Sequence, residues 1–559
     1  MTRLFVFAIA VALQSLAGGA APAPAPLTLD LGDYLALPIT GKLDGTGQTD
    51  GMLARVNSFR EEPGGRGRVF VHDLNGPLYI LDKKSGSLTT YLNFNGRGPL
   101  RQGFHLRQGY GGQDGGQDAS GMFRRFAWEV GFANGLVTFQ FDPGYPSNGR
   151  FYTVHIEEPA VDAPAVPDNT NVPGFNVVGY TVTAPIVTPG PITREGVLIE
   201  WTDGNRSNTT FEGTARELLR LQLNARIHPL GDIVFNPSAR RGDAEWGVMY
   251  LGSGDGGSGE SPRPDTRTNP QRLDTLVGKI LRIVPSLGDH QSTSTVSDNG
   301  RYRIPNDNPF VSIPGARKEI WAVGFRNPHR LHWAIDPANA RNNRLIANSI
   351  GMRTWETINI VHRGGNYGYS LREGNEAMKF DNLTEKRPEV DRIPIRINAT
   401  EIGGEVTPTY PVVQYPHKAG GGDAIGSGYL YRGKSIPALR GKYVFTDIST
   451  GRLWYVDYQE MLKADDGNPD TMAAMHEIQL RWADPNDSPD AGKKVYESMY
   501  PIAMAAYRAR GGKDPDLPGR ATVSGTGRAD AHFAVDAAGE LYVFSKTDGM
   551  LRAVVSPRR

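Results

Sequence analysis

The chain has 559 residues, too many for one ordinary hydrophobic core, so it forms either several domains or one large repeat-built fold. Its 61 basic and 60 acidic residues give a net charge of +1, which argues against nucleic acid or an anionic membrane surface as a partner. Cysteine is absent, which excludes disulfides, thiolate metal sites, thiol nucleophiles and covalent c-type haem.

The N-terminal segment has the pattern of a secretory signal peptide. Arg3 precedes a largely apolar run over 4–16 and small residues suited to cleavage, so residues 1–21 are predicted to be a signal peptide. Residues 22–27 form a predicted Pro/Ala tether. The apolar run is short for a membrane span, and an uncleaved membrane anchor is the alternative. We therefore expect an exported protein, periplasmic or secreted, without stable membrane insertion.

From residue 28 onwards, short β-type runs alternate with turns rich in Gly, Asp, Asn and Pro. Strand–turn–strand units of this kind recur at 68–81, 136–154, 233–251, 331–347 and 532–544. One unit repeated along a long chain is typical of a β-propeller, because no blade can bury both of its faces alone. The pattern predicts a single all-β propeller domain over 28–559 with long inter-strand loops. An array of β-sandwiches is the competing architecture.

Three segments depart from this pattern. Residues 106–120 are rich in Gly and Gln and almost free of apolar side chains, so we expect a poorly ordered loop insertion. Residues 286–300 are polar and are predicted to be a second insertion, on the surface. Residues 214–222 are ambiguous between helix and strand.

The centre of the chain carries an ordered series of motifs: His228-Pro-Leu-Gly, the Gly-rich turn 252–257, and the runs 276–283, 306–310, 319–328, 351–359 and 364–369. This series resembles the glucose/sorbosone dehydrogenase family, densely from His228 to Tyr369 and more loosely from Tyr410 to Val555. The resemblance implies a six-bladed propeller that binds pyrroloquinoline quinone (PQQ) with calcium and oxidises sugars. Because the chain lacks cysteine, its electrons would pass to an external acceptor.

The resemblance also implies roles for individual residues. His228 matches the family's catalytic base, which takes a proton from the anomeric hydroxyl of the sugar. Arg326 and Asn327 match the pair that contacts the cofactor, and a guanidinium there stabilises the charge that develops during hydride transfer. The structural alternatives are a histidine hydrogen-bonded at the start of a strand and an arginine capping backbone carbonyls in an Asn-Pro turn.

Gly351 and Met352 match the positions whose backbone carbonyls bind the family's calcium ion, and carbonyl oxygens suit that hard cation. Glu356 is interpreted either as an anchor for this loop or as a solvated surface charge. Asp255 lies in the Gly-rich turn, and we interpret it as a residue that stabilises the turn by bonding its own backbone, rather than as an ion ligand.

Several positions depart from the family pattern. Leu230 replaces a glycine of the histidine motif, and Ile227 stands where some members have a carboxylate that orients the histidine. Arg528 matches one cation that holds the quinone carboxylates, whereas Ser449 and Asp530 fall near two others. PQQ has three carboxylates, so each missing cation weakens its binding. Arg432 and Arg452 are candidate replacements for these cations.

Three functions are therefore open: a PQQ-dependent dehydrogenase of an aldose-type sugar, a non-catalytic propeller that has lost the quinone and serves as a binding module, and a hydrolase or lactonase using calcium and a histidine. The pairing of His228 with Arg326 and Asn327 favours the first. The small set of carboxylate-binding cations favours the second.

Overall fold

The computed structural model describes residues 26–41, 43, 51–97, 120–127, 134–418, 421–519 and 527–557. The predicted signal peptide at 1–21, most of the predicted tether and residues 106–119 of the first predicted insertion lie outside this part of the chain. None of the helices in the described ranges is long and apolar enough to cross a membrane.

Six four-stranded antiparallel blades follow one another, and we number them 1 to 6. Blade 2 carries one further short strand, and blades 5 and 6 are joined in one nine-stranded sheet. Blades 1 to 3 consist of Val56–Glu61, Arg68–Asp73, Pro77–Asp82 and Leu88–Asn93; Leu136–Phe141, Arg150–Glu157, Arg194–Asp203 and Gly213–Leu223; and Leu230–Phe235, Met249–Ser253, Lys279–Ile283 and Ile320–Val323. Blades 4 to 6 consist of Asn327–Ala334, Arg344–Ile350, Trp355–Ile360 and Val413–Pro416; Ile425–Leu430, Lys442–Asp447, Leu453–Asp457 and His476–Trp482; and Ala531–Val535, Leu541–Ser545, Met550–Val555 and Leu27–Ala36.

The first strands of the blades form a closed ring around a central axis. Each contacts the first strand of the next blade, and the first strand of blade 6 contacts that of blade 1. The prediction of an all-β, six-bladed propeller is therefore confirmed. The alternative array of sandwiches is wrong, because a sandwich would pair its sheets face to face and leave no such ring.

The two ends of the chain close the ring together. Leu27–Ala36 is the outer strand of blade 6 and pairs antiparallel with Met550–Val555. The same strand also pairs in parallel with His476–Trp482 of blade 5. Because this closure joins residues more than 500 positions apart, it ties the first blade to the last without a covalent link.

The hydrophobic core is divided among the interfaces between blades. Each of the six clusters of buried apolar side chains found among the described residues joins two adjacent blades, and together they occupy all six interfaces. Between blades 1 and 2, for example, Phe70 stacks on Phe139 with ring centroids 5.4 Å apart. The neighbouring blade thus covers the face that a single blade would leave exposed, which is the physical reason for the repeat.

Shorter elements lie in the connections. They are the strands Phe175–Asn176, Ser294–Val296, Arg303–Pro305, Arg372–Glu373, Glu376–Met378, Thr384–Glu385, Ile393–Arg396, Ile402–Val406 and Lys494–Tyr496, the α-helices Tyr145–Asn148, Pro264–Arg267, Tyr458–Ala464 and Met499–Ala509, and the 3₁₀ turns Ser258–Glu260, Asn269–Gln271, Ala340–Asn342, Pro437–Leu439 and Pro489–Ala491. The ambiguous segment 214–222 is strand. In the second predicted insertion, Ser294–Val296 pairs with Arg303–Pro305.

Candidate functional site

The strand register places functional side chains at one end of the propeller axis. In the first hairpin of each blade, the start of the first strand pairs with the end of the second strand. We call this the open end of the hairpin. The residues that come before the first strand and after the second strand lie beside it. The first pairs are Leu230 with Ser253 in blade 3, Asn327 with Ile350 in blade 4 and Ala531 with Ser545 in blade 6. Arg326 and Gly351, and likewise Asp530 and Lys546, lie directly beyond the first pair of their hairpin, whereas His228 and Asp255 lie two positions beyond theirs.

These open ends surround a hollow that is partly open to solvent. All of the residues predicted from the sequence to bind cofactor, metal or substrate line it: His228, Arg326, Asn327, Gly351, Met352 and Arg528. The structure thus brings together residues that are up to 300 positions apart in the chain.

A buried carboxylate orients His228. The Nδ1 atom of His228 lies 2.6 Å from Oδ1 of Asp255, and Asp255 is fully buried. Because an ionised carboxylate can only accept hydrogen bonds, Nδ1 carries the hydrogen, and Nε2 is the ring nitrogen that remains free to accept a proton. The backbone of His228 has φ = 50°, in the left-handed region, so the site holds this side chain at a cost in backbone strain.

Asp255 is suited to remain ionised in spite of its burial. Burial acts to raise its pKa, but His228, Arg326 and the backbone N–H of Gly257 outweigh this effect and hold the pKa below its ordinary value. The carboxylate also accepts hydrogen bonds from the N–H groups of Gly257, at 2.9 Å, and Gly259, at 2.8 Å. The interpretation of Asp255 as a turn-stabilising residue is therefore incomplete, because the same carboxylate also binds the histidine.

Arg326 lies between two partners at the edge of the hollow. Its Nε donates to Oε1 of Glu260 at 2.9 Å, its Nη2 donates to the same oxygen, and its Nη1 donates to the carbonyl of Gly351. Burial acts to lower the pKa of Arg326, but Glu260 and the other negative groups around it outweigh this and keep the guanidinium charged. The arrangement provides a fixed positive charge near Asp255, the partner of His228.

Two buried carboxylates hold the loop at Gly351 and Met352. Oε1 of Glu373 accepts four consecutive backbone hydrogen bonds, those from residues 352–355, at 2.7 to 3.1 Å. Glu356 accepts from the N–H of Gly351 at 3.1 Å and also bonds His417, which lines the hollow. The interpretation of Glu356 as a loop anchor fits this geometry, and its interpretation as a solvated surface charge is wrong because the side chain is fully buried.

The donor set at this loop does not fit a calcium ion as the resemblance implied. The Gly351 carbonyl accepts a hydrogen bond from the Arg326 guanidinium, so a second cation there would meet the positive charge of that side chain. Within the described ranges, no group of three or more acidic or histidine side chains could hold a metal ion.

The lining of the hollow as a whole is rich in cations. Five lining side chains are cationic and two are acidic: Arg55, Arg326, Arg330, Arg528 and Lys546 against Asp423 and Asp530. Lys546 Nζ lies 3.0 Å from Oδ1 of Asp530, and Arg528 Nε lies 3.6 Å from Oδ2 of the same residue. Asp530, like His228, has a left-handed backbone, with φ = 46°. The sequence analysis identified only Arg528 and Arg326 among these cations.

The departures from the family pattern can now be placed. Ser449 donates a hydrogen bond of 2.6 Å to Asp423, so an acidic side chain faces the hollow near the position expected for a lysine. Arg432 is exposed, and Arg452 pairs with Glu477 at 2.6 Å. Neither arginine lines the hollow, so neither replaces the missing cations.

The residues present fit PQQ better than the sequence alone indicated. A flat anion with three carboxylates needs several positive charges around it, and the lining of the hollow offers them. Two buried polar atoms of residues that line the hollow, Nε2 of His329 and Nε of Arg330, have no hydrogen-bond partner among the described residues. Such atoms are costly to bury unless a ligand or water satisfies them.

Comparison with known proteins locates this site within a family. A family model described as glucose/sorbosone dehydrogenase matches residues 222–481, from the last strand of blade 2 to the last strand of blade 5. The matched segment contains His228, Asp255, Arg326 and Gly351. Arg528 and Lys546 lie outside it.

Two curated relatives are similar to parts of this chain. HIPL1 protein of Arabidopsis thaliana is 26% identical over 354 residues, which cover 60% of this chain and 46% of that protein. Quinoprotein glucose dehydrogenase B of Acinetobacter calcoaceticus is 27% identical over 243 residues, which cover 42% of this chain and 40% of that protein. The chain thus spans less than half the length of these curated relatives.

A solved structure shows the same fold. The crystal structure of a glucose dehydrogenase superposes with a TM-score of 0.50 and 15% sequence identity, covering 91% of this chain and 98% of that one. The resemblance seen in the sequence is confirmed: residues 222–481 match the glucose/sorbosone dehydrogenase family model.

Proposed function

We propose that the chain is a PQQ-dependent dehydrogenase that oxidises the anomeric carbon of an aldose-type sugar and passes electrons to an external acceptor. The observation that carries this proposal is the convergence of an oriented histidine, a buried guanidinium and several further cations on one axial hollow. The quinoprotein glucose dehydrogenase among the relatives supports the same chemistry for the family segment.

The chain would hold the cofactor with side chains from opposite sides of the hollow. Arg326 and Asn327 would contact the quinone oxygens, and Arg528 would contact a carboxylate. When bound, PQQ supplies a quinone that accepts a hydride from the anomeric carbon. The charges of the lining residues favour such an anionic ligand over a neutral one.

His228 would act as the general base. Its Nε2 takes the proton of the anomeric hydroxyl, while Asp255 holds the ring in the required tautomer and stabilises the imidazolium that forms. Arg326 provides a fixed positive charge at the end of the hollow where negative charge develops, and it needs no reorganisation to do so.

A binding module without redox activity is the second candidate function. It is favoured by the bonds that Arg326 already makes to Glu260 and to the Gly351 carbonyl, because these satisfy the guanidinium without a ligand. A calcium-dependent hydrolase finds less support, because the residues at Gly351 do not fit that ion.

The proposal is tested with purified protein incubated with PQQ and assayed for dye reduction with a panel of aldoses. We expect sugar-dependent reduction. His228→Ala should lower kcat by about 10²- to 10⁴-fold while still binding PQQ, because only the proton acceptor is removed. Arg326→Ala should weaken both PQQ binding and turnover, whereas Arg452→Ala, an arginine outside the hollow, should change neither. A His228→Ala variant with a near-normal rate would show that His228 is not the base.

A further inference from the structure

The ring order places two chemically different groups on opposite sides of the hollow. In a ring of six blades, blade 3 lies across the axis from blade 6, and blade 4 lies across from blade 1. His228 lies just before the first strand of blade 3, whereas Arg528 and Lys546 belong to blade 6 and its approach. A ligand that reaches His228 with its reacting end therefore presents its other end to Lys546.

Lys546 is held facing this hollow by the first hairpin of blade 6. It follows Ser545, whose partner is Ala531, so Lys546 stands opposite Asp530. Its backbone N–H donates to the Asp530 carbonyl at 3.2 Å, and its ammonium lies 3.0 Å from the Asp530 carboxylate. Only 8% of the residue is exposed, and what is exposed faces the hollow. An ammonium has three donors, so a contact with Asp530 leaves capacity for a ligand.

The charged and titratable groups around Lys546 come from three blades. They are Arg528, Asp530 and His532 from blade 6 and its approach, Arg55 and His72 from blade 1, and His329 and Arg330 from blade 4. Burial lowers the pKa of each of these three histidines, so they add no positive charge at neutral pH. Asp530 is the acidic member of the group, and it is outnumbered by cations.

We propose that Lys546, together with Arg528, binds a carboxylate of the quinone cofactor and supplies the positive charge that Ser449 and Asp530 do not. This inference rests on the proposed function. Asp530 then serves as a buried support that holds Lys546 and Arg528 toward the hollow, rather than as a residue that repels the cofactor. Both cations lie outside the matched segment 222–481. Arg528 is the cation that the sequence resemblance implies, and Lys546 is the residue that this proposal adds.

The protonation state of Lys546 makes the proposal measurable. Burial, assisted by Arg330, lowers the pKa of Lys546 to about 8 although Asp530 acts to raise it. A bound carboxylate favours the charged ammonium and raises the pKa again, so binding takes up protons when the free lysine is partly neutral. The affinity for PQQ should therefore be full below pH 8 and should fall as the pH rises above it.

The experiment is a calorimetric titration of the full chain with PQQ at pH 8, in buffers that differ in ionisation enthalpy. For the unaltered protein we expect uptake of about half a proton per PQQ bound, because a group with its pKa near the working pH is half charged. Lys546→Arg should keep affinity and lose the proton uptake, since an arginine is always charged. Lys546→Met should bind PQQ about tenfold to 100-fold more weakly, as expected for loss of a charged hydrogen bond.

Lys442→Met is the matched control. Lys442 also pairs with an aspartate on a blade, Asp457, but it lies outside the hollow, so its loss should leave both PQQ affinity and proton uptake unchanged. Thermal unfolding followed by circular dichroism shows whether each variant is folded. If Lys546→Met does not fold, the proton uptake measured for Lys546→Arg shows whether Lys546 binds the cofactor.

The outcomes separate the two proposals. Unaltered PQQ affinity in folded Lys546→Met, or unchanged proton uptake in Lys546→Arg, would overturn the role of Lys546 while leaving the quinone in the hollow. If the unaltered protein binds no PQQ at all, the proposed function fails, and the role of Lys546 fails with it.

Discussion

At the scale of single residues, the site depends on a carboxylate that serves two structural purposes. The Asp255 carboxylate stabilises the Gly-rich turn by accepting hydrogen bonds from the N–H groups of Gly257 and Gly259. It also fixes the ring of His228. The turn must come close to the histidine for this to work: a Cβ added to Gly254 would lie 2.4 Å from the His228 carbonyl oxygen. Glycine at that position is therefore a requirement of the site.

Asp255→Asn tests this arrangement. The amide has the same shape but cannot stabilise an imidazolium, and it can hold the ring in the wrong tautomer, so we expect kcat to fall by about 10²-fold or more. PQQ affinity should change little. Stopped-flow measurement of sugar oxidation gives the rate.

The double variant Asp255→Asn/His228→Ala is the control for Asp255→Asn. It should be no slower than His228→Ala alone, because the two residues act as one unit. A rate for Asp255→Asn equal to that of the unaltered protein would mean that the carboxylate only supports the turn.

His228, Arg326 and Asn327 could be predicted from their motifs, whereas Asp255 and Lys546 could not. Asp255 and His228 are 27 positions apart, and they become neighbours only because Leu230 pairs with Ser253. Lys546 has no motif around it, and its position opposite Asp530 follows from the register of a hairpin. Both residues lie at the open ends of hairpins, so their place in the hollow follows from strand register, which the sequence does not specify.

At the scale of secondary-structure elements, one strand, Leu27–Ala36, closes the ring by joining blades 5 and 6. Leu27–Ala36 is held by backbone pairing to two blades, and its buried residues Leu29 and Leu31 pack in the core between blades 5 and 6. Its alternation of buried and exposed residues is incomplete, because Asp30 is also buried and pairs with Arg481 at 2.6 Å. The strand thus joins apolar packing to an ion pair.

Leu31→Ala should lower the free energy of unfolding by about 2–5 kcal/mol, the usual cost of truncating a buried leucine. Leu31 is 2% exposed. Val555→Ala, in the adjacent strand, is the matched control: Val555 is 38% exposed, and a change of about 0.5 kcal/mol or less is expected. Urea unfolding monitored by tryptophan fluorescence measures both. Equal losses for the two variants would contradict the role of this strand in closing the ring.

The recurring strand–turn–strand units were predictable from the sequence, because their apolar runs and turn residues are local. Their assignment to blades was not. The unit at 68–81 forms the second and third strands of blade 1, whereas the unit at 136–154 forms the first and second strands of blade 2. Long connections, such as the one between Arg150–Glu157 and Arg194–Asp203, hide the period of the repeat. Pairing of Leu27–Ala36 with the last strand is a non-local contact that no local pattern specifies.

At the scale of the whole molecule, a chain with a net charge of only +1 concentrates positive charge at one place. Five cationic side chains and two acidic ones line the axial hollow, and they come from several blades. The fold could be predicted from the sequence because the repeat of strands and the family motifs both indicated a propeller. The charge of the hollow could not, because it depends on which blades stand opposite each other.

The central claim is that this hollow holds a quinone which the chain reduces with electrons from a sugar. The most direct measurement is a single-turnover experiment: protein loaded with one equivalent of PQQ is mixed with an aldose in the absence of oxygen and dye, and the absorbance of the cofactor is followed. The account predicts reduction of the bound quinone with oxidation of one sugar per PQQ, abolished in His228→Ala, which still binds the cofactor. Bound PQQ whose spectrum stays unchanged with every aldose would contradict it.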